Sequence, residues 1–284
     1  MMYLIALTTM AAADAPAVTT GPVEKAVGDF KFTEGPVWLP EGLLVFSDIP
    51  ADTIYKADGT VFRTPSGKSN GLTLDRKGRL IACEHWNRRV TRTEKDGAIT
   101  VLADAYDGKK FNSPNDVVVR SDGVIFFTDP PYGLEGRAQE IDFSGIYAIL
   151  PGGEVILLNK TYSHPNGLAF SPDEKMLYVG DSKAGLIDVF DMGEGPVLEN
   201  GRRFCDVPGP DGMKVDAEGR LWSTAQDGMR LYATDGTLLA TIPMPERPAN
   251  CAFGDADRKT LYITARTTLY RVRCAVPGLP LSPP

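Results

Sequence analysis

Six oxygen-bearing side chains recur along the chain, each at the start of a short apolar run. They belong to Glu34, Asn70, Asn115, Asn166, Asp211 and Asn250. Carboxylate and amide oxygens are hard ligands, and Ca²⁺ accepts about six to eight of them in loose geometry. The set contains no His or Cys, which disfavours zinc, although ligand type leaves Mg²⁺, Mn²⁺ and Zn²⁺ open. The pattern predicts one divalent-metal site or a polar channel, with Ca²⁺ as the expected ion.

The spacing of these residues indicates the architecture that positions them. In most copies a glycine follows, then alternating apolar residues, an Asp/Gly-rich turn and a second apolar run. Successive copies begin 36, 45, 51, 45 and 39 residues apart. A period of roughly 40–50 residues predicts an all-β fold, a six-bladed β-propeller with four antiparallel strands per blade. Asn and Asp also begin strands because they suit turns, but a circular array would aim all six oxygens at one axis.

A second set of positions ends the second strand of each repeat, 14 or 15 residues after the first set. These positions are Asp48, Glu84, Asp129, Asp181, Ala225 and Ala265. In an antiparallel hairpin the end of the second strand lies beside the start of the first. We therefore expect the second set on the same face, one strand further from the axis. Most of its members are carboxylates, which predicts an anionic, oxygen-rich face.

The ends of the chain complete the expected organisation. The last repeat, residues 250–274, contains only about three strand-like runs. We expect a strand near Val23–Phe30 to pair with Leu269–Arg273 and close the ring, which removes exposed sheet edges. The propeller is expected to fill residues 20–284 as one domain, with residues 1–19 a tail or signal-like segment. Its apolar run lacks a basic start, so cytoplasmic and periplasmic locations both stay open.

Composition excludes several function classes. The net charge is −7, the pI is near 5.0 and the basic residues are scattered, so we expect no nucleic-acid partner. No run reaches the roughly 18 apolar residues that a membrane span requires. The cysteines lack the Cys-x-x-Cys spacing of zinc or redox sites. We expect them to be buried free thiols, with a Cys251–Cys274 bridge as the alternative.

Four phrases resemble the gluconolactonase/regucalcin family, the senescence-marker-protein-like six-bladed propellers. They are Thr33-Glu34-Gly35-Pro36-Val37-Trp38, Asn112-Ser113-Pro114-Asn115-Asp116-Val117, His164-Pro165-Asn166-Gly167-Leu168-Ala169-Phe170-Ser171-Pro172-Asp173 and Pro210-Asp211-Gly212-Met213. The resemblance covers nearly the whole chain after the N-terminal segment. It implies a divalent ion at the channel mouth. The residues that match the family's ligands are Glu34, Asn115, Asn166 and Asp211.

The resemblance also implies an activity, the hydrolysis of a sugar lactone. The ion would polarise the lactone carbonyl, and a carboxylate beside it would accept a proton from water. Asp211 is the implied catalytic residue, and Asp129 or Glu84 from the second set could share the task. We expect the residues that contact the sugar to be Asn112, Asn115, His85 and Asp129. We expect a monomer or small homo-oligomer, and the Asn112-Ser-Pro-Asn115 phrase favours the bacterial gluconolactonase-like branch over the animal regucalcin branch.

Two other interpretations stay open. An organophosphate hydrolase or paraoxonase-like enzyme would use the same metal site and would want a pair of histidines near the ion. The chain offers only His85 and His164 for that purpose. A non-catalytic propeller that binds proteins would instead present an aromatic or apolar patch on its rim.

Overall fold

The computed structural model describes residues 18–280, which form six four-stranded antiparallel sheets. The N-terminal strand, β1, is Glu24–Gly28. The first blade contains β2 (Thr33–Leu39), β3 (Leu43–Asp48), β4 (Thr53–Lys56) and β5 (Val61–Arg63). The second contains β6 (Ser69–Leu74), β7 (Leu80–Glu84), β8 (Arg89–Thr93) and β9 (Ile99–Ala103).

A short hairpin, β10 (Ala105–Tyr106) and β11 (Lys109–Lys110), precedes the third blade. That blade contains β12 (Val117–Val119), β13 (Ile125–Asp129), β14 (Gly145–Ile149) and β15 (Val155–Asn159). A 3₁₀ turn, Tyr132–Leu134, follows β13. The fourth blade contains β16 (Pro165–Phe170), β17 (Met176–Asp181), β18 (Leu186–Met192) and β19 (Leu198–Asp206).

The fifth blade contains β20 (Met213–Val215), β21 (Leu221–Ala225), β22 (Gly228–Tyr232) and β23 (Leu238–Ile242). The sixth contains β24 (Pro248–Gly254), β25 (Thr260–Ala265) and β26 (Thr268–Arg273). Its fourth strand is β1, which pairs antiparallel with β26. Strand β2 contacts both β6 and β24, so the first blade lies between the second and the sixth. The six-bladed propeller and its closing N-terminal strand are confirmed.

Apolar side chains hold the ring together at each junction between neighbouring blades. Residues 18–280 contain six buried apolar clusters, one for each junction. At the junction of blades one and two, Val37 packs in the same cluster as Leu72. At the junction of blades six and one, Phe46 packs with Leu269. Because every blade buries both faces, its inner strands are apolar on both sides of the sheet.

The turn between the first two strands of a blade follows from its Asp/Gly sequence. In blade two, Asp75 Oδ1 accepts the N–H groups of Lys77 and Arg79, both at 2.9 Å. Gly78 then adopts φ +72°, a left-handed conformation that glycine tolerates best. These turns lie at the ends of the blades opposite to the ring residues, so they support the site without contributing to it.

The described residues include the start of the propeller domain. Thr19 pairs with Cys274 in an isolated bridge, so strand pairing starts one residue before the domain boundary expected at residue 20. The signal-like segment lies outside the described residues, apart from Val18 and Thr19, so the location of the protein stays a prediction.

No helix within 18–280 is long and apolar enough to cross a membrane. All four cysteines are buried free thiols, as expected.

Candidate active site

The predicted ligands share one cavity of about 330 Å³ at one end of the central channel. Its wall includes Glu34, Asn115, Asn166 and Asp211, and also Asn70 from the same ring of positions. The remaining ring member, Asn250, does not line the cavity, although its side chain hydrogen-bonds the Glu34 carboxylate and lowers the Glu34 pKa. Its Nδ2 donates to Asp116 Oδ2 at 3.3 Å, and its Oδ1 accepts the Cys251 N–H at 2.9 Å. The structure therefore brings the four predicted ligands together and leaves Asn250 outside the cavity wall.

The glycine that follows most ring residues has a packing role. A Cβ on Gly35 would lie 2.0 Å from Asn70 O, and one on Gly167 would lie 2.2 Å from Asp211 O. Both contacts would be with backbone of the next blade, which cannot move aside cheaply. The Gly167 N–H instead donates to Asp211 O at 3.2 Å. Glycine thus lets neighbouring first strands approach closely enough to place their ring residues around one cavity.

Two carboxylates dominate the electrostatics of the cavity. Burial raises the pKa of the Glu34 carboxyl well above its usual value, and the charge of Asp211 raises it further. Burial likewise raises the pKa of Asp211 to about 7, with Arg247 opposing the shift and Asp116 adding to it. Neither Glu34 nor Asp211 forms an ion pair with a lysine or arginine of residues 18–280. Two adjacent carboxylates without a paired cation make a site that favours a bound metal ion or a proton.

The amides complete a donor set that fits a hard divalent ion. The Asn115 side chain makes no hydrogen bond within the described chain, although the residue is only 3% exposed. Asn166 Nδ2 donates to Ser182 Oγ at 3.0 Å, which leaves its Oδ1 available. Clusters of three or more His, Cys, Asp or Glu side chains suited to a metal are absent from residues 18–280. A site here therefore depends on amide oxygens as well as carboxylates, the chemistry of Ca²⁺ rather than of zinc.

Three carboxylates of the second set hold the loops that precede the ring residues. Asp48 accepts the N–H of Lys31 at 2.9 Å, and Asp181 accepts that of Ser163 at 2.7 Å. Asp129 accepts the N–H groups of Asn112 and Ser113, at 2.8 and 2.7 Å. Each loop leads into its ring residue two or three positions later. These carboxylates therefore position the first ring by bonding backbone.

Two residues predicted to contact the substrate, Asn112 and Asp129, are not among those that line the cavity. The side chain of Asn112 turns back into the protein, where its Nδ2 donates to Phe143 O at 2.8 Å. Asp129 is fully buried against the 112–113 loop. Glu84, the other candidate for sharing proton transfer, forms ion pairs with Arg63 and Arg89. The structure thus gives these residues supporting positions, because the Asn112 Nδ2 and the carboxylates of Asp129 and Glu84 are already bonded, although Asn112 Oδ1 has no hydrogen-bond partner within the described residues.

The sequence prediction missed several cavity residues because it stopped one position early on the second strands. Ile49, Ser182 and Arg266 directly follow second-set positions and line the cavity. His85 occupies the same kind of position and also lines the cavity, and it is the member of this group that the sequence did predict. Successive side chains along an extended strand point in opposite directions. When the second-set side chain turns to the loop, the next one therefore faces the cavity. Tyr132 and Arg247 also line it from a 3₁₀ turn and a loop, where no strand pattern could have identified them.

The two histidines have different surroundings. His85 is buried, and its Nε2 lies 3.2 Å from Asn70 Nδ2. Burial lowers the pKa of His85 to about 4, and the charge of Arg137 contributes in the same direction. His164 is not part of the cavity wall, and its ring packs 5.1 Å from that of Tyr132. A neutral imidazole at His85 can accept the Asn70 amide proton, but the structure does not place a histidine pair in the cavity.

The comparison with known proteins decides the family. A family model described as the SMP-30/Gluconolactonase/LRE-like region matches residues 32–267. The chain belongs to this family.

Individual relatives match this chain over most of its length. A gluconolactonase of Zymomonas mobilis is 34% identical over 289 residues, which cover 89% of this chain and 81% of the relative. A solved gluconolactonase from Xanthomonas campestris superposes with a TM-score of 0.85 at 34% identity and covers 94% of both chains. A pentonolactonase of Haloferax volcanii is 28% identical, over 81% of this chain and 80% of that protein.

Proposed function

We propose that this protein is a metal-dependent lactonase that opens a sugar lactone to its hydroxy acid. Its family and its gluconolactonase and pentonolactonase relatives indicate a lactonase, a carboxylic ester hydrolase. The observation that carries the finer proposal is that two carboxylates with raised pKa values, Glu34 and Asp211, share one cavity with the amides of Asn115 and Asn166. This donor set supports one divalent ion, with Ca²⁺ as the expected metal.

A bound ion would supply Lewis acidity for the lactone carbonyl and offset the charges of Glu34 and Asp211. The residues of the chain supply the remaining steps. Asp211 is the candidate base: its carboxylate would take a proton as the water oxygen bonds to the carbonyl carbon. The ring C–O bond then breaks, and the ring oxygen takes this proton from Asp211 to become the product hydroxyl, which restores the carboxylate.

The cavity wall suits a small polyhydroxylated ring. Asn70, the neutral His85 and Ser182 offer hydrogen-bonding groups, while Phe32 and Tyr132 offer apolar surface for a sugar face. The volume of about 330 Å³ lies at the small end of ligand sites, which fits a monosaccharide lactone rather than a polymer. The phosphotriesterase interpretation receives no support from histidine placement, because only His85 lines the cavity.

The test is a screen of purified protein with and without metal. Chelator-treated protein should lose hydrolysis of a sugar 1,5-lactone or 1,4-lactone, and added Ca²⁺ should restore it. Mg²⁺, Mn²⁺ and Zn²⁺ are compared at the same concentration, and a phosphotriester serves as the alternative substrate. Metal-independent lactone hydrolysis would contradict the role of the ion. Turnover of the phosphotriester alone would contradict the lactonase assignment.

A further inference from the structure

Two arginines of the cavity, Arg247 and Arg266, form no ion pair with a carboxylate of residues 18–280, although the charge of Arg247 lowers the pKa of Asp211. Arg247 has one long hydrogen bond, from Nη2 to Gly209 O at 3.5 Å. The Arg266 guanidinium lies 5.9 Å from the centre of the Phe32 ring. Both side chains are exposed. Other arginines, such as Arg79, form short ion pairs with nearby carboxylates.

The carboxylate next to Arg247 in the sequence, that of Glu246, already accepts hydrogen bonds from other residues. Glu246 Oε2 accepts the N–H of Thr267 at 2.9 Å and its hydroxyl at 3.0 Å. Glu246 Oε1 accepts the Tyr270 hydroxyl at 3.0 Å. Arg247 directly follows Glu246, and Arg266 directly precedes Thr267. The hydrogen bonds of Glu246 therefore join the segment that contains Arg247 to the segment that contains Arg266. Glu246 forms no ion pair with either guanidinium group.

A bound metal ion would engage the carboxylates of the cavity wall and leave these arginines without an ion-pair partner there. A divalent ion would offset the charges of Glu34 and Asp211, which are the carboxylates of the cavity wall. His85 is buried and faces the amide of Asn70. The two guanidinium groups then keep hydrogen-bond donors that form no ion pair with a carboxylate of residues 18–280. Guanidinium groups bind carboxylates and phosphates through paired, charge-assisted hydrogen bonds.

We propose that Arg247 and Arg266 form an anion-binding subsite, so that the preferred substrate is an acidic sugar lactone. The lactone would carry a carboxylate or a phosphate on the carbon furthest from the reacting carbonyl. This substrate class rests on the lactonase function proposed above. The subsite would orient the ring by its charged end while its carbonyl faces Glu34 and Asp211.

The test compares kcat/KM for three lactones that share a six-carbon skeleton: neutral gluconolactone, glucarolactone with its carboxylate, and 6-phosphogluconolactone. The parent should prefer one acidic lactone over the neutral one by about tenfold or more. Arg247→Gln and Arg266→Gln should each lower that preference by about tenfold, which is the effect of losing one charge-assisted hydrogen bond. The matching Arg→Lys variants should keep part of it, because they keep the charge. The acidic lactone that is preferred shows whether the anion is a carboxylate or a phosphate.

Arg258 provides a matched control. It is exposed, and its φ of +53° resembles the +47° of Arg266, but it lies in the β24–β25 turn at the other end of the same blade. Arg258→Gln should leave the preference unchanged. A parent that hydrolyses the neutral lactone with no arginine-dependent preference for an acidic one would overturn the subsite alone. A parent that hydrolyses none of the three would overturn the lactonase function and the subsite with it.

Discussion

Asn250 Nδ2 donates a hydrogen bond to Asp116 Oδ2 at 3.3 Å, joining blade six to blade three on the opposite side of the ring. Asp116 is only 2% exposed, and burial raises its pKa. Its charge also raises the pKa of both Glu34 and Asp211. The candidate metal site is therefore backed by a third carboxylate, which lies outside the cavity wall but close enough to act on it.

We expect Asp116→Asn to weaken metal binding while leaving the ligands in place. The substitution keeps the shape of the side chain but removes one negative charge near the ion. At the effective dielectric of a protein site, a charge a few ångströms beyond the ligands contributes on the order of 1–3 kcal/mol, so the Ca²⁺ affinity should fall about tenfold or more. Titration calorimetry with Ca²⁺ measures this. An unchanged affinity would show that Asp116 does not act on the site.

We expect Gly167→Ala to disturb the site through packing alone. The new Cβ would meet the backbone oxygen of Asp211 at 2.2 Å, so the two first strands must separate. Overpacking of this kind costs about 1–3 kcal/mol of unfolding free energy, and Asp211 should shift with its strand. Gly152→Ala is the matched control, since nothing lies within 4 Å of its added Cβ. The unfolding free energy measured with urea and the rate of lactone turnover should both fall for Gly167→Ala only. Equal behaviour of the two variants would contradict the packing role.

The sequence allowed the ring to be predicted because one phrase recurs once per blade. Glu34, Asn115, Asn166 and Asp211 occupy equivalent positions, and circular symmetry converts equal positions into a common cavity. The roles of Asn112 and Asp129 could not be predicted, because whether a side chain faces a loop or the cavity depends on the local twist of the strand end. Arg247 and Tyr132 belong to no repeated pattern, so only the folded chain places them beside the ring.

We expect Asp181→Asn to destabilise the loop before Asn166. Asp181 accepts the N–H groups of Ser163, His164 and Ala184, at 2.7, 3.2 and 3.0 Å. Burial opposes ionisation, but these hydrogen bonds lower the pKa of Asp181, so its contribution to stability is present above the ordinary Asp pKa and is lost as the pH falls.

The unfolding free energy of Asp181→Asn should drop by about 1–3 kcal/mol at neutral pH. Asp235→Asn is the control, since this exposed carboxylate accepts one backbone N–H, that of Thr237 at 2.9 Å. Chemical denaturation measures both variants. An Asp181→Asn protein as stable as its parent would rule out the loop-holding role.

We expect His85 to make the protein less stable in mild acid. Because burial lowers its pKa to about 4 from 6.5, the unfolded chain binds more protons than the folded one between these values. The free energy of unfolding should therefore rise with pH across this window, by at most about 3 kcal/mol from this group. His85→Gln, which does not titrate, should flatten the pH dependence. Denaturant titrations at pH 4.5 and 7 measure the unfolding free energy of parent and variant. An equally steep pH dependence in the variant would show that groups other than His85 cause it.

We predict that Asp211 both binds the metal and accepts the proton in the reaction, whereas Asn70 lines the cavity without either role. Asp211→Asn should keep the shape of the site but lose a ligand charge and the proton acceptor. Asn70→Ala should lose its contact with His85 and one hydrogen-bonding group for the sugar, but neither a ligand charge nor the proton acceptor. The measurement is turnover of both variants at saturating Ca²⁺ on a lactone that the parent hydrolyses. We predict a loss of roughly two to four orders of magnitude for Asp211→Asn, the span of a lost general base, and a much smaller loss for Asn70→Ala. Near-parent turnover by Asp211→Asn, with the loss found instead in Asn70→Ala, would contradict the account.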